Sequence, residues 1–170
     1  HVEFGGVSVI PRSGWEPWLL FRKRLDGRVQ DNLRKWRTGG IRRLPDGRPF
    51  RDVVVSAPTP RSEREIADHP SLKPQEFLRL LVYASLPLGE GRILDPFAGS
   101  GSTVAAALAL DLEALGIERD ASFYEMAKSA IPQLARVHTA FDAELARMRG
   151  KEDTARDGLQ GGRLSSTMSC

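Results

Sequence analysis

The segment Asp95-Pro96-Phe97-Ala98-Gly99-Ser100-Gly101-Ser102-Thr103 constrains this chain more than any other. An apolar strand, Ile93-Leu94, ends in a carboxylate. A turn with two glycines follows, and then an Ala-rich helix from Val104 to Leu110. Glycine is required where the backbone takes positive φ or lies against a ligand. A strand, a glycine turn and a helix in that order place a ligand at the helix N-terminus, beyond the carboxyl end of the strand. A second short apolar strand, Leu115-Gly116-Ile117, ends in Glu118, whose carboxylate suits the hydroxyls of a ribose. The unit reads as a nucleoside-type cofactor site, set against the alternative of a tight αβ turn that holds no ligand.

The spacing narrows the cofactor. The dinucleotide fingerprint needs a third glycine three residues after the second, and Val104 stands there. The phosphate loop of nucleotide hydrolases needs Gly-Lys-Ser/Thr, and Gly101 is followed by Ser102 with no lysine. NAD and ATP are both disfavoured. An acidic strand end, a DPFxGxG turn and a downstream acid instead resemble the S-adenosyl-L-methionine site of methyltransferases.

Upstream lies His69-Pro70-Ser71-Leu72-Lys73-Pro74, followed by an amphipathic stretch from Gln75 to Leu86. HPSLKP, DPFAGSGST and GIERD (Gly116 to Asp120), in that order, resemble the amino-group DNA methyltransferases that act on adenine N6 or cytosine N4. The order matches the permuted subclass, whose cofactor half follows its catalytic half. The likeness covers Pro70 to Ala135 and, more loosely, Gly14 to Gly40. It implies an α/β chain, part of a Rossmann-like fold dependent on S-adenosyl-L-methionine, with a parallel βαβ cofactor unit and an N-terminal antiparallel strand pair. It further implies cofactor contacts from Asp95, Phe97, Gly99, Ser100, Gly101, Ser102 and Thr103 around the methionine part. By the same resemblance Glu118 binds the ribose, Arg119 lies near the adenine, and His69, Lys73 and Pro74 pack beside the methionine end. Lys73 also reads as a solvated residue before a helix whose first position is Pro74.

The catalytic motif of that family is a polar residue, two prolines and an aromatic, and no such tetrapeptide occurs in this sequence. Ser56-Ala57-Pro58-Thr59 lacks the double proline and the aromatic. The catalytic residues are therefore unassigned. In the permuted order they would lie upstream of His1, so the chain is expected to be the C-terminal part of a longer enzyme, or else a non-catalytic relative. Carbon-5 methylation of cytosine needs an activated cysteine nucleophile, and the only cysteine is Cys170, in a polar tail.

Charge points to a partner. The net charge is +3, but Arg22 to Arg51 carries 11 basic and 3 acidic residues with Trp36 and Phe50 interleaved. Such a stripe can neutralise phosphates and stack on bases; it can also be a solvated face. Arg34, Lys35, Trp36, Arg37, Arg42 and Arg43 are the candidate nucleic-acid contacts. Double-stranded DNA is the expected partner, RNA the alternative, and a homodimer is compatible. One cysteine excludes a disulfide framework, and no apolar run approaches the roughly 18 residues of a membrane-spanning helix. The cytoplasm is the simplest compartment.

The organisation expected from pattern is as follows. Residues 1–21 form an edge strand pair, the second strand being Trp18-Leu19-Leu20-Phe21. Residues 22–68 are a basic, loop-rich target-recognition segment with a strand candidate at Val53-Val54-Val55; Ser62-x-x-Glu65 reads either as a capping box for a single turn or as surface loop. Residues 69–149 are the cofactor-binding αβ part, with a helix presenting Phe77, Leu81 and Ala84, strands Arg92–Asp95 and Ala114–Glu118, and a helix Ser102–Leu110 between them. An apolar series of Tyr124, Ala127, Ile131, Leu134, His138, Phe141 and Leu145 marks one packed face, which Pro132 divides or kinks. His138 is assigned to packing. Residues 150–170, poor in apolar side chains, are expected to be disordered.

Overall fold

The computed structural model describes residue 10 and residues 13–161. Along the chain come α1 (Val29–Trp36), α2 (Arg61–Ile66), α3 (Gln75–Ser85), β1 (Arg92–Asp95), α4 (Ser102–Ala109), β2 (Glu113–Gly116), α5 (Ala121–Leu134) and α6 (Ala140–Gly161). β1, α4 and β2 form the expected βαβ unit, but β2 ends at Gly116, so Ile117 and Glu118 lie beyond the strand on which they were expected. The two strands are parallel neighbours in the register Ile93↔Ala114 and Leu94↔Leu115, as a single crossover helix requires.

The sequence of α4, STVAAALA, explains its central place. Ala105, Ala106 and Ala107 are wholly buried, and their small side chains let α3, α5 and the sheet all approach one helix. Two clusters result. Leu78, Val82 and Tyr83 of α3 pack with Ala106, Ala107, Leu110 and Phe141, and Ile93 and Ala114 join from the sheet. Ala67 and Leu72 pack with Ala105, Ala130 and Leu134. Burial of one such leucine, Leu134, contributes about 1.5–3 kcal/mol.

Side chains alternate across a strand. The partners of Ile93 and Ala114 on the other sheet face, Leu94 and Leu115, are 60% and 53% exposed. Among the described residues that face has no cover, whereas parallel sheets are ordinarily covered on both sides.

Charged side chains fasten the helix ends. Arg79, 2% exposed, donates to the carbonyls of Leu134 and Ala135, both at 3.1 Å, and to the Asp142 carboxylate. It thereby satisfies the orphan carbonyls at the end of α5. Glu76 accepts from the Ala140 amide at 2.8 Å, the first of α6.

Several sequence expectations are corrected. The first strand of the N-terminal pair lies outside the described residues apart from Ile10. Trp18–Phe21 is not a strand but irregular chain, with Trp18 resting edge-on against Phe77 at 5.1 Å. Val53–Val55 also forms no strand, and Val55 is 96% exposed: β propensity without a pairing partner does not make a ladder. The loop-rich segment also contains a short helix, α1, whose N-terminus is closed by Asp31 accepting from the Arg28 amide at 3.1 Å. α2 begins at Arg61 after Pro60, so Ser62 caps nothing. Pro74 is the N-cap of α3, one residue before its first helical position. The core face of α3 is Leu78, Val82, Tyr83 and the expected Ala84, with Phe77 and Leu81 only partly buried. The α5–α6 series is divided at residues 135–139, just beyond Pro132. His138 falls in that break and is exposed, so it does not pack. α6 continues to Gly161, into the tail expected to be disordered; residues 162–170 lie outside the described residues.

Candidate functional site

At the carboxyl end of β1 the chain makes a compact turn. The Asp95 carboxylate accepts from the Phe97 amide at 3.0 Å, an Asx turn of the kind Asp favours. The Gly101 amide closes the turn onto the Ala98 carbonyl at 2.7 Å. Gly99 and Gly101 have φ of +53° and +79°, where a Cβ is disfavoured. A Cβ on Gly99 would lie 3.0 Å from the His69 ring, and one on Gly101 would lie 2.5 Å from Ile131. The glycines are thus demanded by backbone conformation and by the packing of His69 and α5 against the turn. The sequence had left ligand approach open as a third reason.

Glu118 organises the other side. Its Oε2 accepts from the Gly99 amide at 2.8 Å and its Oε1 from the Asp120 amide at 2.8 Å. These backbone donors, Asp120 first and Gly99 next, hold its carboxyl below the usual glutamate range. An ionised carboxylate offers about four lone-pair sites, so two amides leave acceptor capacity for a ligand hydroxyl. Asp120 caps α5, its side chain accepting from the Ser122 and Phe123 amides.

The three motifs converge. The Ala98 amide donates to the Ile117 carbonyl and the Ile117 amide to the Asp95 carbonyl, at 2.9 and 2.8 Å. His69 packs edge-on against Phe123 at 4.4 Å, and its Nδ1 accepts from the Ser71 amide at 3.2 Å. Ser100 and Ser102 are buried and share a hydrogen bond of 3.0 Å. Phe97 is 87% exposed at the mouth of the turn. Thr103 follows on the first turn of α4, and exposed Arg119 lies between Glu118 and Asp120. Lys73 is not simply solvated: it pairs with Glu16 at 2.7 Å and lies 5.9 Å from the Trp18 ring. A separate cleft of about 200 Å³, lined by Leu44, Val54, Phe77, Leu80 and Phe141 among others, shares no residue with the turn.

The basic stripe is less open than its composition suggests. Arg34 pairs with Asp31, Lys35 with Asp26 at 2.6 Å, and Arg37 with Glu90. Arg42 stacks on Tyr83 at 4.0 Å, and its amide donates to the Ala84 carbonyl at 2.9 Å. Among the described residues Arg43 bonds the Gly47 carbonyl at 3.0 Å, and Trp36 is 57% exposed. Sequence reading missed four residues that shape this region. Glu16 and Phe123 carry no motif signal, and Glu63 and Gln75 look like ordinary surface residues until their burial is seen.

A parallel βαβ unit with a glycine turn at one strand end and an acid two residues past the other, Glu118, is the arrangement of nucleoside-binding α/β proteins. The chain belongs to the DNA methylase family of amino-group (N6/N4) enzymes, whose model matches residues 13–129. It is similar to the type II methyltransferase M2.DpnII of Streptococcus pneumoniae and to M2.LlaDCHI of Lactococcus lactis subsp. cremoris. Each is 32% identical over 91 residues, which is 54% of this chain and 34% of the relative. M2.MboI of Moraxella bovis is 38% identical over 66 residues, 39% of this chain and 24% of its own length. The chain thus spans about a third or less of the curated relatives it matches. Among solved structures, the M1.HpyAVI–SAM complex aligns over 58% of this chain and 45% of its own at 21% identity, TM-score 0.44. A DNA modification methylase of Thermus thermophilus, TTHA0409, solved with S-adenosyl-L-methionine, aligns over 54% and 43% at 25% identity, TM-score 0.35.

Proposed function

We propose that this chain is the S-adenosyl-L-methionine-binding, DNA-contacting C-terminal part of a methyltransferase that modifies the exocyclic amino group of adenine or cytosine in double-stranded DNA. The observation that carries this reading is the convergence of His69, the Gly99–Gly101 turn and Glu118 at one end of the βαβ unit. The residues suit the cofactor. Glu118 is ionised, is held in place by two amides and keeps acceptor capacity for ribose hydroxyls. Asp95, Phe97, Ser100, Ser102 and Thr103 would hold the methionine part around the turn, Arg119 would stand near the adenine, and His69, Lys73 and Pro74 would wall the methionine end.

The chemistry supplied at this site is an electrophilic sulfonium methyl group. The role of these side chains would be to bind and orient the cofactor so that an amino nitrogen can be held in line with it, a task that depends chiefly on positioning. A base must leave the stack to be reached. The group that accepts hydrogen bonds from the target amine is supplied by residues N-terminal to this segment, since no matching tetrapeptide occurs in residues 1–170. The uncovered Leu94–Leu115 face of the sheet supports the same reading, because such a half would cover it. The type II relatives, named as methyltransferases, favour a modification enzyme.

DNA contact falls to the stripe. Exposed ion pairs such as Arg34–Asp31 are worth little, roughly 0–1 kcal/mol, so these side chains can exchange partners for phosphate. Titration calorimetry tests the cofactor assignment. Wild type is expected to bind S-adenosyl-L-methionine, and Glu118→Ala to bind it about tenfold or more weakly, as loss of hydrogen bonds to a charged group implies. An unchanged dissociation constant removes Glu118 from the site.

A further inference from the structure

Gln75 is wholly buried, and it is placed where an apolar residue would cost less. Its side-chain Nε2 donates to the Ser102 carbonyl at 3.0 Å, in the first turn of α4. Its Oε1 is buried without a hydrogen-bond partner. A buried acceptor left unpaired opposes folding, and Ser102, as the first residue of α4, already has a helical partner for its carbonyl. Stability alone therefore does not explain this amide.

The position of Gln75 is itself fixed from outside α3. Pro74, the N-cap, provides no side-chain acceptor. The Glu63 carboxylate of α2 takes its place, accepting from the Gln75 amide at 3.0 Å. Glu63 is 2% exposed, and burial pushes its carboxyl above the usual glutamate range against the opposing pull of the Gln75 amide and Arg79. A neutral acceptor would suit this site as well as a charged one. From Gln75 the chain of contacts continues to Ser102 and, through the Ser102–Ser100 hydroxyl pair at 3.0 Å, into the middle of the glycine turn.

We propose that Gln75 is a positioning residue for the cofactor turn: held by Glu63, its amide tethers the first turn of α4 and so fixes the Gly99–Gly101 backbone between His69 and Glu118. The assignment rests on the reading of this turn as the cofactor site. It adds two residues, Glu63 of α2 and Gln75 of α3, both outside all three motifs.

The test uses the whole 170-residue chain with the variants Gln75→Met, Glu63→Leu and Glu63→Gln. Amide hydrogen exchange of residues 98–103 is followed by NMR without ligand, thermal unfolding by circular dichroism, and S-adenosyl-L-methionine affinity by calorimetry. Gln75→Met keeps the side-chain volume and removes the unpaired acceptor. It is expected to melt close to wild type, to exchange several-fold faster at residues 98–103, and to bind the cofactor about five- to tenfold more weakly, as for one lost hydrogen bond. Glu63→Leu is expected to act alike, and Glu63→Gln, which keeps the acceptor, to restore wild-type exchange. Unaltered exchange at the turn in Gln75→Met overturns the proposal. So does loss of the whole fold, which would make the amide a structural requirement. Failure of wild type to bind S-adenosyl-L-methionine refutes the cofactor reading instead, and the exchange of residues 98–103 still decides the role of Gln75.

Discussion

Replacing Gly101 by alanine separates two costs that this site combines. At φ of +79° any non-glycine residue loses roughly 1–2 kcal/mol from left-handed backbone. The new methyl group would also stand 2.5 Å from Ile131 Cγ1, 2.7 Å from its Cδ1 and 3.3 Å from Ala127 Cβ. Ile131 is β-branched and fixed in α5, so it cannot swing clear; overpacking of this kind costs about 1–3 kcal/mol. The sum is about 2–5 kcal/mol. Gly47 provides an internal control, with φ of +84° and nothing within 4 Å of its Cβ. Gly47→Ala should therefore cost the backbone part alone, about 1–2 kcal/mol. The assay is urea unfolding followed by circular dichroism, with both variants measured against wild type. The difference between them reads the clash between the turn and α5. If Gly101→Ala costs no more than Gly47→Ala, α5 does not pack against the turn as described, and the geometry that brings the motifs together is wrong.

Arg79→Met should destabilise by about 1–3 kcal/mol, since it removes a buried guanidinium's hydrogen bonds to the Leu134 and Ala135 carbonyls and to Asp142, which keeps those from Thr139; a urea midpoint near wild type would show that Arg79 fastens nothing. Glu118 has a folded pKa below its ordinary value, so the stability it contributes is complete above about pH 4.5 and is lost as pH falls through the depressed folded value. Midpoints measured between about pH 3 and 6 should accordingly fall more steeply in wild type than in Glu118→Gln, and parallel curves would contradict the hydrogen bonding at that carboxylate. Duplex DNA binding should weaken by roughly 0.9 log unit per log unit of salt for each phosphate contacted. Arg43→Ala should flatten that slope, whereas Arg42→Ala, which removes the guanidinium stacked on Tyr83, should chiefly lower the melting temperature; an affinity independent of salt would reduce the stripe to a solvated surface. Incubated alone with tritiated cofactor and mixed-sequence duplex DNA, the chain should transfer no methyl groups, and turnover at an enzymatic rate would place the missing acceptor within residues 1–170.

Local chemistry in the sequence determined the βαβ unit. The Asp95 strand end, the two glycines and the alanine run each specify their own backbone, so β1, the turn and α4 could be read directly, and the parallel pairing followed from the connection. The helix α3 was legible for the same reason, but its buried face was not: Phe77 and Leu81 carry the same apolar character as Leu78 and Val82, and only the direction from which α4 approaches decides between them. Trp18–Phe21 and Val53–Val55 look like strands because β-branched and aromatic residues favour them, yet a strand exists only where a neighbour supplies the ladder. Charge was visible as composition along Arg22–Arg51; that Arg42 stacks on Tyr83 while Arg43 stays at the surface depends on residues far along the chain. Burial settled the remainder. Glu63 and Gln75 read as hydrophilic positions, and only the closure of α2 and α3 over the first turn of α4 removes them from water, turning two ordinary polar residues into the tether of the glycine turn.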